Sequence, residues 1–184
     1  MQITGGKYRG RKIKPVKNPL IRPSKAVVRE ALFSILGPDS CNGKLVADFF
    51  SGSGIMTLEA VSRGVQAAYS VDNDPGSCTL IRSNFALLKV PSTTILLQMN
   101  VLRAITEFSA LNLKFDYIFL DPPYDSPHLG TEAIDQSVAA GIVHLDTIAI
   151  FEHRSKAEIP ECCSMLLWKQ KKYGQSMLSF YVMP

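Results

Sequence analysis

Five apolar runs of β type, Leu45 to Phe50, Ala67 to Val71, Thr93 to Gln98, Phe115 to Leu120 and Thr147 to Phe151, are separated by stretches of helical character. Those stretches are Ile55 to Arg63, Pro75 to Leu88, Val101 to Leu111 and Leu129 to Ala140. Strands that are apolar along nearly their whole length must be covered on both faces, and alternation with helices supplies the cover. The pattern therefore demands a parallel sheet between two helical layers. The end of the chain departs from it. Met165 to Lys172 and Ser176 to Met183 meet at Tyr173-Gly174-Gln175 as a hairpin does, which predicts an antiparallel edge on an otherwise parallel α/β sheet. A chain of 184 residues fits one such domain with a small appendage.

In doubly wound sheets ligands bind beyond the carboxyl ends of the strands, so the residues that follow each run carry the functional information. After the first run comes Asp48-Phe49-Phe50-Ser51-Gly52-Ser53-Gly54, a glycine turn that lets backbone approach a nucleotide or nucleoside closely. Thr57 stands where a dinucleotide fingerprint has its third glycine, which disfavours a pyrophosphate ligand. The second run ends at Asp72, where a carboxylate can accept hydrogen bonds from both hydroxyls of a ribose. Asp74-Pro75 then reads as a helix N-cap with proline in the first turn. Asn100, after the third run, fits either an adenine-reading carboxamide or a plain turn residue.

The fourth run ends in Asp121-Pro122-Pro123-Tyr124. Neither proline has a backbone N–H, so the segment cannot extend a sheet ladder and offers acceptors without donors. Carbonyl and carboxylate oxygens suit an NH₂ group, and the Tyr124 ring offers a face on which a base can stack. Taken alone the tetrapeptide is also an ordinary Asp-Pro turn. Its place on the same sheet edge as the glycine turn, Asp72 and Asn100 favours the site.

Charge is distributed unevenly. Residues 1–29 carry nine basic side chains and no acid, whereas the remainder carries 11 basic and 16 acidic ones. A basic arm on a mildly acidic body points to a polyanion, or to a solvated leader. Ile3, Tyr8 and Ile13 interleaved with Gly5-Gly6 favour an ordered hairpin that lines up cations along a phosphate backbone. Ser24 is the expected N-cap of a following helix, with Val27, Val28, Ala31, Leu32, Ile35 and Leu36 as its apolar stripe and Arg29 and Glu30 off that stripe. The four cysteines and three histidines lack ligand spacing, so no metal is expected. No apolar run approaches the roughly 18 to 20 residues of a membrane span, and a cytoplasmic protein without membrane contact is the expectation.

Five segments together carry a family resemblance: Ile3-Thr4-Gly5-Gly6-Lys7-Tyr8-Arg9-Gly10-Arg11-Lys12; Arg22-Pro23 with Val28-Arg29-Glu30-Ala31-Leu32-Phe33; the Asp48 to Gly54 turn running into Leu58-Glu59-Ala60 and Ser62-Arg63-Gly64; Asp121 to Tyr124; and the late Lys172-Tyr173-Gly174. The chain resembles the bacterial small-subunit rRNA guanine-N2 methyltransferases of the RsmD family, which are class I S-adenosylmethionine-dependent enzymes. The resemblance implies a Rossmann-like fold with a mostly parallel seven-stranded sheet and an antiparallel C-terminal edge. It implies a methyltransferase domain over residues 37–184 behind an RNA-binding extension over 1–36. It also implies S-adenosylmethionine held by Asp48, Phe50, Gly52, Gly54, Asp72 and Asn100, with Asp121, Pro122 and Tyr124 at the acceptor base. Lys7, Arg9, Arg11, Arg22 and Arg29 would grip phosphates. The implied target is guanine 966 of the 16S rRNA, within an assembling 30S particle, and the enzyme a monomer. An adenine-N6 methyltransferase or an inactive ribosome-assembly RNA-binding protein are the alternatives. The chain departs from the family pattern at Lys25, Ala26 and Val27, and again at Ile55-Met56-Thr57.

Overall fold

The computed structural model describes residues 1–16, 26–37, 39–159, 162 and 164–184. The expected cap Ser24 and the expected RNA contact Arg22 lie outside the described residues. The elements in chain order are α1 (Ala26–Leu36), β1 (Leu45–Phe49), α2 (Ile55–Ser62), β2 (Ala67–Asp72), α3 (Pro75–Leu88), β3 (Thr94–Gln98), α4 (Val101–Ala110), β4 (Phe115–Leu120), α5 (His128–Ala139), β5 (Val143–Arg154), β6 (Leu166–Tyr173) and β7 (Ser176–Val182).

The seven strands form one sheet in the order β3-β2-β1-β4-β5-β7-β6. Strands β3, β2, β1, β4 and β5 run parallel, and β7 inserts antiparallel between β5 and β6. Two cores flank the sheet. One joins Val46, Tyr117, Phe119, Ile150 and Phe180 to side chains of α1, α2 and α3. The other joins Ala47, Phe49, Ile118, Leu120 and Phe151 to α4 and α5. Because β1 and β4 contribute alternate side chains to the two cores, they are buried on both faces, as their unbroken apolar character requires.

Strand β5 has 12 residues where five are legible in the sequence. Its last three, Glu152-His153-Arg154, pair with Leu178, Met177 and Ser176 of β7, so a neighbouring strand carries polar residues that look like the end of a run. His153 is buried, and burial pushes its pKa down. The carbonyl of Arg154 can only accept, so His153 Nδ1–H donates to it at 2.9 Å and Nε2 accepts from Ser179 Oγ at 2.8 Å.

The arm is an ordered hairpin bonded to the body. Gln2 and Lys12 form an antiparallel bridge, and Ile3, Tyr8 and Ile13 are buried in the same core as α1 and α2. Its turn rests on the last turn of α2, where Lys7 N–H donates to the Ser62 carbonyl and Tyr8 N–H to Ser62 Oγ. Gly6 sits at φ +73°, and a Cβ there would come within 1.9 Å of the Ser62 carbonyl oxygen, so only glycine permits this approach.

Arg29 corrects the sequence reading. Instead of facing solvent it is 2% exposed, and its Nε donates to Glu59 of α2 at 3.1 Å. Val27, expected on the apolar stripe, is exposed in its place. The reason is Glu59, itself wholly buried, whose carboxylate accepts from Arg29, from Arg63 and from the Thr4 N–H and hydroxyl. A buried carboxylate needs such partners, and removing it strands two guanidinium groups. Glu59→Ala should lower the unfolding free energy by about 3–5 kcal/mol in urea titration. It should also expose the arm to protease under native conditions; a variant of unchanged stability would show that the cluster does not hold the arm.

Candidate active site

The strand order reverses between β1 and β4, and a cleft of about 670 Å³ opens over their carboxyl ends. One end is lined by Asp48, Phe50, Gly52, Asp72, Met99 and Asn100. The other is lined by Asp121, Pro122, Tyr124, Leu129, Arg154 and Gln175. Val16, at the end of the described arm, also reaches it.

The glycine turn is held by two side chains, Asp72 and Asn84. Gly52 N–H donates to Asp72 Oδ2 at 2.7 Å, while Asp74 N–H donates to Oδ1 at 2.9 Å. The Ser53 carbonyl accepts from the buried Asn84, whose carboxamide also bonds both backbone groups of Lys14, so one side chain joins the turn to the arm. Phe50 adopts φ 62°, a left-handed conformation that costs a non-glycine residue about 1–3 kcal/mol and is held by its surroundings. Gly54 caps α2 at φ 73°.

Thr57, in the place of the absent third glycine, has a role of its own. Its N–H and hydroxyl both donate to Asp48 Oδ2, at 3.0 and 2.6 Å, and its hydroxyl also meets Ser70 Oγ at 2.6 Å. Asp48 is almost wholly buried and its pKa is pushed up to about 7, chiefly by burial and against the pull of Thr57. Burial also raises the pKa of Asp72, opposed by the N–H groups of Asp74 and Gly52.

Asp74 caps α3 by accepting from Ser77 N–H at 2.6 Å. Asn100 caps α4 through Oδ1, which accepts from Leu102 N–H at 2.8 Å. The cap explains why asparagine suits this position, as the turn-residue reading has it, and Asn100 also lines the cleft. Beyond β4, Asp121 is half-buried, Pro122 is buried and Tyr124 is half-buried, with a turn closed by Ser126 N–H on the Pro123 carbonyl.

The glycine turn, Asp72 and the Asp121 to Tyr124 segment thus share one cleft. The model for the family described as Conserved hypothetical protein 95 matches residues 1–182. The chain belongs to that family. The putative rRNA methyltransferase YlbH of Bacillus subtilis is 29% identical over 98% of both chains. The Ribosomal RNA small subunit methyltransferase D of Buchnera aphidicola subsp. Acyrthosiphon pisum is 30% identical over 98% of this chain and 92% of its own. Among solved structures, a putative methyltransferase, yhhF from Escherichia coli, superposes with a TM-score of 0.82 at 27% identity, over 100% of this chain and 97% of that one. The RsmD-like assignment and the class I methyltransferase fold therefore stand.

Within this family member the cleft gathers Asp48, Phe50, Gly52, Asp72, Asn100, Asp121, Pro122 and Tyr124. Gly54 stands just behind, packed against Ile81 and Phe85. Lys7, Arg9 and Arg11 are exposed on the arm, with Lys7 and Arg11 set around the Tyr8 ring; Arg29 is internal and has no place among phosphate contacts. Sequence reading misses Arg154 and Gln175, which line the cleft together with Asp121 and Tyr124. The signal for Arg154 lies in the rule that strand ends carry function, masked because the fifth run looks complete at Phe151. Among the described residues no group of three His, Cys, Asp or Glu side chains is arranged to hold a metal, and no helix is long and apolar enough to cross a membrane.

The raised Asp48 pKa fixes a pH dependence. An unfolded Asp48 releases its proton near 3.8 and the folded one near 7, so folding is favoured by the retained proton at low pH. That advantage fades as pH rises through this window and is gone above about 7, where both states are ionised and the burial cost is fully felt. Asp48→Asn keeps an acceptor for Thr57 but cannot titrate. Between pH 4 and 8 the wild type should lose stability relative to Asp48→Asn by on the order of 4 kcal/mol in urea titrations; parallel curves would contradict the shift.

Proposed function

We propose that this chain methylates the exocyclic N2 amine of a guanine in small-subunit rRNA, with S-adenosylmethionine as donor. The observation that carries this reading is the junction of Asp121-Pro122-Pro123-Tyr124 and the Gly52–Asp72 turn in one cleft. The cofactor end fits the donor on chemical grounds: each Asp72 oxygen accepts one backbone N–H and keeps a lone pair for a ribose hydroxyl. Asn100 offers its NH₂ to a ring nitrogen of the adenine. When bound, S-adenosylmethionine supplies an electrophilic methyl group on a positively charged sulfur.

The difficulty lies in the acceptor, because the lone pair of an exocyclic purine amine is delocalised into the ring. Asp121 and the Pro122 carbonyl accept the two N–H groups of the amine and turn its lone pair toward the cofactor end. Tyr124 stacks the base and holds it flat against that geometry. As the N–C bond forms, the methyl–sulfur bond would break and its electron pair would leave the sulfur as a neutral thioether, while the positive charge gathering on nitrogen is stabilised by the Asp121 carboxylate, which takes the departing proton. The main contribution is positioning, and no covalent bond to the protein is needed.

The basic arm supplies the preference for RNA. Lys7, Arg9 and Arg11 project from a hairpin whose trailing end reaches the cleft at Val16, so a strand bound along the arm is led toward the cleft. The names of the relatives support rRNA of the small subunit as the class of substrate; to this we add, as our own proposal, the guanine corresponding to 966 as the target, an assembling 30S particle as its setting and a monomer as the working unit.

The test is transfer of a radiolabelled methyl group to small subunits from cells lacking the modification, beside naked rRNA and duplex DNA. Label should enter the small-subunit rRNA and not DNA; label in DNA, or in no nucleic acid despite cofactor binding, overturns the assignment. Asp121→Ala should bind the cofactor as wild type does while turnover falls about a hundred-fold or more. Arg9→Ala with Arg11→Ala should weaken RNA binding and reduce the slope of log affinity against log salt by about one for each phosphate no longer neutralised, with cofactor affinity unchanged.

A further inference from the structure

Arg154 ends β5 beside the acceptor segment, and its side chain packs on Tyr124, with Cζ 4.7 Å from the ring centroid. A guanidinium held over a ring by a cation–π contact keeps N–H donors available to a third group. Arg154 is exposed at the cleft, and among the described residues its guanidinium donates to no protein acceptor. Its backbone is fixed from two sides: the carbonyl accepts from His153 Nδ1, and the next residue, Ser155, donates its N–H to the Gln175 carbonyl at 2.8 Å. A clamped backbone carrying an uncommitted fork is the arrangement of a recognition residue rather than of a packing one.

Position narrows what the fork can read. Strands β4 and β5 are adjacent and parallel, with Leu120 paired to Phe151, so Asp121 and Arg154 stand at neighbouring strand ends and line one part of the cleft. A purine held by its amine at Asp121 and stacked on Tyr124 lies within the reach of a long arginine side chain. On guanine, O6 and N7 are both acceptors and match a guanidinium fork, whereas adenine presents N7 beside an amino donor.

We propose that Arg154 is the specificity-determining residue of the acceptor site, packed on Tyr124 and donating to the O6 and N7 edge of the guanine whose amine is held at Asp121. The inference rests on the guanine-N2 reading above and adds to it the means by which guanine is told from other purines carrying an amine. Tyr124 and Arg154 then act as a unit, the ring by stacking and the fork by edge recognition.

The experiment compares RNA carrying guanine at the target with RNA carrying 2-aminopurine there, which keeps the C2 amine and lacks O6. The wild type should favour guanine by about ten- to a hundred-fold in kcat/KM. In Arg154→Met, which keeps an apolar stem for Tyr124, the ratio should fall close to one, and Arg154→Lys should retain part of the preference as a single-point donor. Binding of S-adenosylmethionine, read by calorimetry, should be the same in all three proteins. A guanine to 2-aminopurine ratio that is the same in the wild type and in Arg154→Met overturns the proposal whatever the absolute rates, and leaves the guanine-N2 assignment standing. Wild-type protein that labels neither substrate while methylating adenine or DNA overturns both.

Discussion

The site depends on a reversal of chain direction across the sheet. From β1 the chain winds outward through α2, β2, α3 and β3, and it then returns through α4 to place β4 on the other side of β1. Right-handed crossovers put the helices of the two halves on opposite faces. The loops after β1 and β4 therefore leave in opposite directions, α2 packing into one core and α5 into the other. A crevice between them is unavoidable, and the glycine turn and the Asp121 to Tyr124 segment are two of the loops that border it.

A second constraint ties the basic arm to that crevice. The Glu59 carboxylate gathers Thr4, Arg29 and Arg63, and Asn84 links Lys14 to the Ser53 carbonyl. The two buried polar groups fix the arm at its start and near its end, so cations that could have hung on a flexible leader are held on a hairpin with a defined path to Val16. Such clusters contribute less to net stability than to a single arrangement, because their loss leaves buried charge or polar groups without partners.

Much of this is legible in the residues. The bounds of α3 and β4 follow from the sequence as observed, since Asp74-Pro75 and Asp121-Pro122 are local signals whose physics lies within a few residues. Arg29 is not legible, because its partner is 30 positions away in sequence and a charged residue on a helix gives no local sign of being buried. The end of β5 is hidden for a related reason: Glu152, His153 and Arg154 look like a loop until β7 supplies their ladder. Thr57 counts only as an absent glycine until the buried Asp48 and Ser70 beside it show what a hydroxyl does there. What local chemistry determines is readable, and what distant partners determine is not.

The central claim is that the cleft presents the N2 amine of a guanine to a methyl donor. It is tested most directly by incubating unmodified small subunits with the protein and S-adenosylmethionine carrying a deuterated methyl group, then digesting the rRNA to nucleosides for mass spectrometry. The account predicts a single deuterated product, N2-methylguanosine, lost in Asp121→Ala. Deuterium in N6-methyladenosine, or in a ring nitrogen or ribose of any nucleoside, would contradict it.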